Sequence, residues 1–95
     1  MSNGYNGWAN YETWLVNVWM TNEEGSSRYW DDVARRCYDE DDPEGSTRKL
    51  AKRLEYELAQ VPDDLSGFHK DLMNAALGEV DWDELASHYI EDCRV

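Results

Sequence analysis

One short segment, residues 8–20, combines more apolar surface with a clearer period than any other part of the chain. It holds three of the five tryptophans. Its aromatic and aliphatic residues recur at the i, i+3, i+4, i+7 and i+8 spacing of an amphipathic helix with one buried face. This stripe consists of Tyr11, Trp14, Leu15, Val18 and Trp19. The segment therefore predicts the core helix of the domain.

The two ends of this helix are also signalled. Asn10 is the expected N-cap, because its side-chain oxygen can accept a hydrogen bond from a free amide two or three residues later. Glu12 lies in the first turn, where the helix dipole favours a negative charge. We expect the helix to end near residues 21–22, before the turn at residues 22–25.

Four further segments repeat the helical period, and none shows the alternation of a clean strand. The predicted helices run from Ser26 or Ser27 to about Tyr38, from Ser46 or Thr47 to about Gln60, over residues 65–77, and from a capping box at Asp81 and Glu84 to Cys93. The sequence therefore predicts a compact, all-α single domain over residues 1–95, with about five short helices. Residues 1–7 are expected to form a flexible lead-in. The predicted core comprises Trp14, Leu15, Val18, Trp19, Trp30, Val33, Leu54, Leu72, Trp82, Leu85 and Tyr89.

Residues 39–45 are predicted to be an exposed acidic linker, because clustered carboxylates repel one another and Pro43 blocks helix continuation. The segment also invites comparison with a calcium-binding loop, which needs glycine at its sixth position and glutamate at its twelfth. Counted from Asp39, those positions hold Glu44 and Leu50, and Pro43 takes the place of a ligand at the fifth. We therefore predict no metal site.

The net charge is the most informative feature of the composition. Twenty-one acidic residues against nine basic ones give a formal net charge of −12. Such a charge repels nucleic acid and acidic lipids, so neither direct nucleic-acid binding nor membrane binding is expected. No apolar run reaches transmembrane length and the N-terminal residues do not resemble a secretory signal. These features favour a cytoplasmic protein.

The sequence offers little for catalysis. Neither His69 nor His88 has a partner at ligand spacing, so both are interpreted as surface or boundary side chains. Cys37 and Cys93 lie on apolar stripes without a cationic flank that would activate a thiol, which favours a reduced, buried pair. No glycine-rich phosphate motif occurs. We therefore expect no enzyme activity and no cofactor.

A single basic stretch interrupts the acidic chain. It comprises Arg48, Lys49, Lys52 and Arg53. Four cations in six positions are compatible with a phosphate contact. The favoured interpretation is intramolecular pairing with Glu55, Glu57 and the adjacent acidic linker.

Two segments near the chain ends resemble a known group of proteins. The first runs from Gly7-Trp8 through Asn10-Tyr11-Glu12-Thr13-Trp14, Val16-Asn17 and Trp19 to Asn22-Glu23, and the second is Val80-Asp81-Trp82-Asp83-Glu84-Leu85-Ala86 followed by His88-Tyr89. Both are similar to the ends of small proteins carried by phages, plasmids and prokaryotic genomes. The resemblance implies a setting among mobile genetic elements, and it implies no catalytic residues.

The acidity and this setting together predict an interaction protein. Carboxylates three or four residues apart on a helix stand about 5–6 Å apart, close to the spacing of phosphates along a nucleic-acid strand. If the fourth and fifth helices pack as a hairpin, their carboxylates form one face that imitates DNA. The predicted target is a cationic nucleic-acid-binding protein or complex of the host, such as a CRISPR or restriction complex. The predicted contact residues are Asp64, Asp71, Glu79, Asp81, Asp83, Glu84, Glu91 and Asp92, with Asp39, Glu40, Asp41 and Asp42 of the linker.

The aromatic content supports an alternative. Twelve aromatic residues in 95 are more than a small core easily hides. Exposed tyrosine and tryptophan anchor many protein interfaces. The alternative function is therefore a homodimer or adaptor whose acidity serves only solubility or salt tolerance. The residues expected to supply exposed rings are Tyr5, Trp8, Tyr11, Tyr29 and Tyr56.

Overall fold

The computed structural model describes residues 4–94 and shows an all-α single domain, which confirms the predicted fold class. Its helices are α1 (Tyr11–Asn22), α2 (Glu24–Cys37), α3 (Pro43–Leu58), α4 (Gly67–Gly78) and α5 (Trp82–Cys93). Residues 1–3 of the predicted lead-in, and residue 95, lie outside the described residues. Within residues 4–94, the one extended pairing is an isolated bridge between Tyr5 and Trp8.

The core lies where α2, α3 and α5 pack together, with α1 against α2. The first turn of α3 faces the last turn of α5, and the middle of α3 faces the start of α5, so these two helices are antiparallel. Tyr29 near the start of α2 bonds to Glu57 near the end of α3, so α2 is antiparallel to α3 and runs in the same direction as α5. The predicted core residues buried here are Trp30, Val33, Leu54, Leu85 and Tyr89. Trp82 is half-buried and packs against them.

α1 buries a different side from the one that its aromatic stripe predicts. Its buried residues are Thr13 and Met20, with Val16 packed against the core between them. Trp19 is 66% exposed, so its prediction as a core residue is wrong. The buried Thr13 hydroxyl donates one hydrogen bond and accepts another, which offsets the cost of burying a polar group. Of the remaining stripe, Trp14, Leu15 and Val18 are half-buried and Tyr11 is exposed.

α4 makes few contacts with any of the other four helices. It has no buried residue, and Leu72 is 55% exposed, so the prediction of Leu72 as core is wrong. The hairpin of α4 with α5, which was the condition for one DNA-like face, does not form. The buried side chain of Val80 fixes the short connection between them. The radius of gyration of 14.1 Å exceeds the roughly 12.4 Å expected for a 95-residue domain because α4 lies to one side.

The second and third helices begin earlier than predicted. α2 starts at Glu24, with Glu23 in the N-cap position. α3 starts at Pro43, and its N-cap is Asp42, whose carboxylate accepts a 3.0 Å hydrogen bond from the Gly45 amide. Proline suits the first position of a helix because its missing N–H has no partner there. The acidic linker is therefore shorter than predicted, and Ser46 is a buried helical residue.

The residues before α1 form an ordered turn. Asn6 and Gly7 have positive φ angles of 50° and 90°, and Tyr5 and Trp8 exchange backbone hydrogen bonds of 2.7 and 2.9 Å. Asn-Gly is the sequence signal for such a turn, because both residues tolerate positive φ. Residues 5–7 of the predicted lead-in therefore adopt a defined turn. The Tyr5 ring packs at 5.0 Å from that of Trp14.

Candidate partner-binding surface

Two of the predicted contact carboxylates, Asp81 and Glu84, form hydrogen bonds within the chain that stabilise the fold. Asp81 caps α5 by accepting a 3.0 Å hydrogen bond from the Glu84 amide. The Glu84 carboxylate accepts a 2.8 Å hydrogen bond from the amide of Ala9, 75 residues earlier in the chain. The Asn10 side chain adds a 2.6 Å bond to the backbone carbonyl of Glu79. These contacts join the two segments that carry the sequence resemblance, so both motifs have structural roles.

The remaining predicted carboxylates of α4 and α5 do not form one face. α5 spans about 18 Å, and its carboxylates lie at opposite ends of that length. Asp64 precedes α4 and Asp71 lies on it. Both are exposed, and α4 does not pack closely against α5. The continuous α4–α5 face expected from the sequence is therefore absent.

At the start of α5, the acidic side chains share a groove with basic ones. This groove, of about 610 Å³, is lined by Arg48 and Lys52 of α3 as well as by Glu79 and Asp83. Its mixed charge weakens any negative potential there. Among residues 4–94, only Arg53 of the basic stretch forms an ion pair, with Glu57, so the predicted pairing with the acidic linker is wrong. The other three cations of that stretch are Arg48, Lys49 and Lys52.

At the opposite end of the domain, a different set of carboxylates converges. The directions of the helices bring together the end of α2, the connection to α3, the start of α3 and the end of α5. Glu44 of α3 faces Glu91 of α5 across a groove of about 180 Å³. We call this end the acidic pole. It comprises Asp39, Glu40, Asp41, Asp42, Glu44, Glu91 and Asp92.

Three carboxylates of the acidic pole already have partners. Asp39 and Asp42 accept backbone hydrogen bonds of 2.9 and 3.0 Å. Glu91 pairs with Arg94 at 3.1 Å. Within the described part of the chain, the other four carboxylates have neither an ion pair nor a side-chain hydrogen bond. These four are Glu40, Asp41, Glu44 and Asp92. The C-terminal ends of α2 and α5 add negative dipole ends to the same region, and the N-terminal end of α3 adds a positive one.

The acidic pole adjoins a groove between α2 and α5 of about 450 Å³. Asp31 and Arg35 of α2 line it together with Tyr38, the residue that follows α2, and Tyr89 and Asp92 line it from α5. Tyr89 is only 8% exposed, and its hydroxyl has no hydrogen-bond partner within residues 4–94. Burial raises the pKa of Tyr89 to about 12, and the negative charges of Asp31 and Asp92 add to this shift. The phenol is therefore neutral over the whole physiological range.

Sequence reasoning did not find this groove. It did not include Asp31 among the predicted contact residues and treated Tyr89 only as a core residue. The available signal was the tyrosine itself, because a buried phenol normally finds a hydrogen-bond partner.

The cysteines and histidines add no reactive centre to this region. Both cysteines are free, and burial raises the pKa of the Cys93 thiol, which disfavours the thiolate. His69 and His88 are exposed, as predicted. The His88 ring stacks on Trp8 with centroids 4.2 Å apart, and His69 Nδ1 lies 2.7 Å from the Ser66 hydroxyl. Residues 4–94 contain no group of three or more potential ligands placed to hold a metal ion.

Comparison with known proteins complements this description. Of the helices in residues 4–94, none combines the length and apolar character that crossing a membrane requires. No match was found among curated proteins or among solved structures. One family model matches residues 1–94, which is almost the whole sequence. The chain therefore belongs to DUF7249, described as a family of unknown function.

Proposed function

We propose that the chain is an acidic inhibitor that imitates DNA, and that it uses the acidic pole to occupy a cationic groove of a host nucleic-acid-binding complex. The observation that carries this proposal is the set of unpaired carboxylates gathered from the α2–α3 connection, α3 and α5. A cationic groove attracts such a surface through the same long-range electrostatics that attract DNA. The contact surface differs from the α4–α5 face expected from the sequence.

Preorganisation of the acidic pole supports the proposal. The hydroxyl of buried Ser46 accepts a 2.8 Å hydrogen bond from the Asp39 amide and donates one of 2.9 Å to the Asp42 carbonyl. These bonds tie the connection to the first turn of α3. Binding through carboxylates on a fixed connection costs less conformational entropy than binding through a mobile acidic loop.

The sequence resemblance supports the choice of target. Proteins of phages and plasmids act inside cells that defend themselves with DNA-processing complexes. A CRISPR or restriction complex has the cationic DNA-binding surface that the acidic pole would fit. The net charge of −12 also disfavours the DNA itself as the partner.

Affinity capture from a prokaryotic host lysate, with elution by duplex DNA, tests this proposal. The pole variant carries Glu40→Gln, Asp41→Asn and Glu44→Gln. Its matched control removes the same charge near α4 through Asp63→Asn, Asp64→Asn and Asp71→Asn. We expect the natural chain and the control to capture a DNA-processing complex that duplex DNA releases, and the pole variant to lose it. Capture that is equal for both variants, or that DNA does not reverse, would reject the proposal.

A specific observation also favours a second candidate, self-association. Trp19, Tyr56, Phe68 and Leu72 are 66%, 73%, 69% and 55% exposed. α1 and α4, which carry three of these residues, are poor in charge: α1 has Glu12 alone, and Lys70 and Asp71 of α4 cancel. A second copy of the chain is the partner that α1 or α4 would fit, because two strongly acidic molecules repel each other least at helices that are poor in charge.

Salt dependence separates the two candidates. Size-exclusion chromatography with light scattering at low and high salt should show a dimer at both if apolar rings form the interface, because apolar contacts survive screening. Phe68→Ser with Leu72→Ser should then give a monomer. A monomer at every salt concentration would reject self-association and leave the acidic inhibitor as the remaining function.

A further inference from the structure

The groove between α2 and α5 combines two features that together indicate a ligand. Asp31 and Asp92 stand on opposite walls, one from each helix. Tyr89 lines the same groove, and its hydroxyl is buried and without a hydrogen-bond partner in the described chain. A buried polar group without a partner costs free energy in the unliganded protein, and a ligand that satisfies it recovers that free energy.

We propose that this groove receives an arginine side chain of the partner, whose guanidinium group bridges Asp31 and Asp92 and donates a hydrogen bond to the Tyr89 hydroxyl. The inference rests on the proposed function, because it names the group that the acidic region recognises. The negative charges of both carboxylates act on Tyr89, and they contribute to the raised pKa of its hydroxyl. The same charge would attract a cation to that point.

Guanidinium suits the groove better than ammonium does. Its planar fork presents five N–H donors and can bond two carboxylates and a hydroxyl at once. It is also more weakly hydrated than ammonium and stacks on aromatic rings, and Tyr38 offers such a ring at the edge of the groove. The Tyr89 hydroxyl is covered in the free chain, so a side chain at the groove must move before the guanidinium group reaches it.

Arg35 gives this proposal an unusual test. It lies on α2 four residues after Asp31 and lines the same groove, yet it forms no ion pair within residues 4–94. Its charge opposes an incoming cation. Arg35→Gln should therefore tighten binding of a cationic probe, by roughly threefold or more at low salt. A purely structural role for Arg35 would not produce tighter binding.

Two synthetic peptides, an Arg-Gly repeat and a Lys-Gly repeat of equal charge, serve as probes, with binding followed by fluorescence anisotropy at low salt. We expect the arginine peptide to bind more tightly than the lysine peptide. Tyr89→Phe, which leaves the charge unchanged, should weaken arginine-peptide binding by about fivefold, the change that one hydrogen bond gives. Asp31→Asn and Asp92→Asn should each weaken it more than Glu40→Gln, the matched control on the acidic pole outside the groove.

The outcomes separate the groove from the acidic pole. If Tyr89→Phe binds as tightly as the natural chain and Glu40→Gln weakens binding as much as Asp31→Asn, the groove proposal is overturned and the acidic pole stands. Equal affinity for the two peptides would also overturn it. Failure of the natural chain to bind either peptide at low salt would overturn both proposals.

Discussion

The hydroxyl of Thr13 accepts a 2.9 Å hydrogen bond from the backbone amide of Asp81, 68 residues later in the chain. The same hydroxyl donates a 2.6 Å bond to the Asn10 side chain, which caps α1. Thr13 is fully buried. The cap of α1 and the start of α5 therefore share one hydroxyl group, which links the two ends of the sequence.

Thr13→Val should destabilise the chain by about 2 kcal/mol. Valine has the same shape, but it leaves the Asp81 amide without its acceptor, while the Asn10 side-chain oxygen keeps only its bond from the residue 13 amide. Urea denaturation measures the effect. Thr21→Val is the matched control, because the exposed Thr21 hydroxyl bonds only to the carbonyl groups of its own helix. Equal stability of the two variants would show that the link contributes nothing.

The tryptophans Trp30 and Trp19 should respond differently to truncation. Trp30 is 4% exposed, so Trp30→Ala should cost about 3–5 kcal/mol through lost burial and a residual cavity. Trp19 is 66% exposed, and Trp19→Ala should cost less than about 1 kcal/mol. Melting temperatures of the two variants check this order. A large loss of stability for Trp19→Ala would show that the aromatic stripe of α1 faces the core after all.

Tyr89→Phe should stabilise the free chain by about 1 kcal/mol. The substitution removes a buried hydroxyl that has no partner in the described structure, and it keeps the ring that fills the core. Denaturation in urea is the suitable measurement, because guanidinium would itself compete for the groove. A destabilised variant would show that the hydroxyl is satisfied in the free protein.

Ionisation of Tyr89 should lower the free energy of unfolding of the natural chain at high pH. Burial, with Asp31 and Asp92, raises the folded-state pKa to about 12 from the usual 10.0, so the folded state favours the neutral phenol. The raised pKa has no effect on the free energy of unfolding below pH 10, and it lowers that free energy as the pH rises from 10 towards 12. The stability of the natural chain relative to Tyr89→Phe should therefore drop across that window by up to about 2–3 kcal/mol. A constant difference would contradict the raised pKa.

The sequence was sufficient to predict the helices and several of their caps, because these depend on neighbouring residues. The period of apolar residues marks each helix, and Asn10 and Asp81 cap α1 and α5 as predicted. The buried side of α1 could not be predicted, since it depends on the contact of Thr13 with a distant segment.

The roles of individual carboxylates could not be predicted for the same reason. Glu84 differs from Asp83 only because its side chain reaches the Ala9 amide. Asp92 joins the acidic pole only because α5 runs antiparallel to α3. Tertiary contacts of this kind leave no local pattern in the sequence.

A backbone-amide NMR titration of the chain with the Arg-Gly repeat peptide tests the central claim most directly, because it locates the cation-binding surface without any substitution. The account predicts that the largest shifts fall within residues 31–44 and 89–94, where the acidic pole and the α2–α5 groove lie. Largest shifts within residues 79–84 or on α4, or shifts spread evenly over the acidic residues, would contradict it.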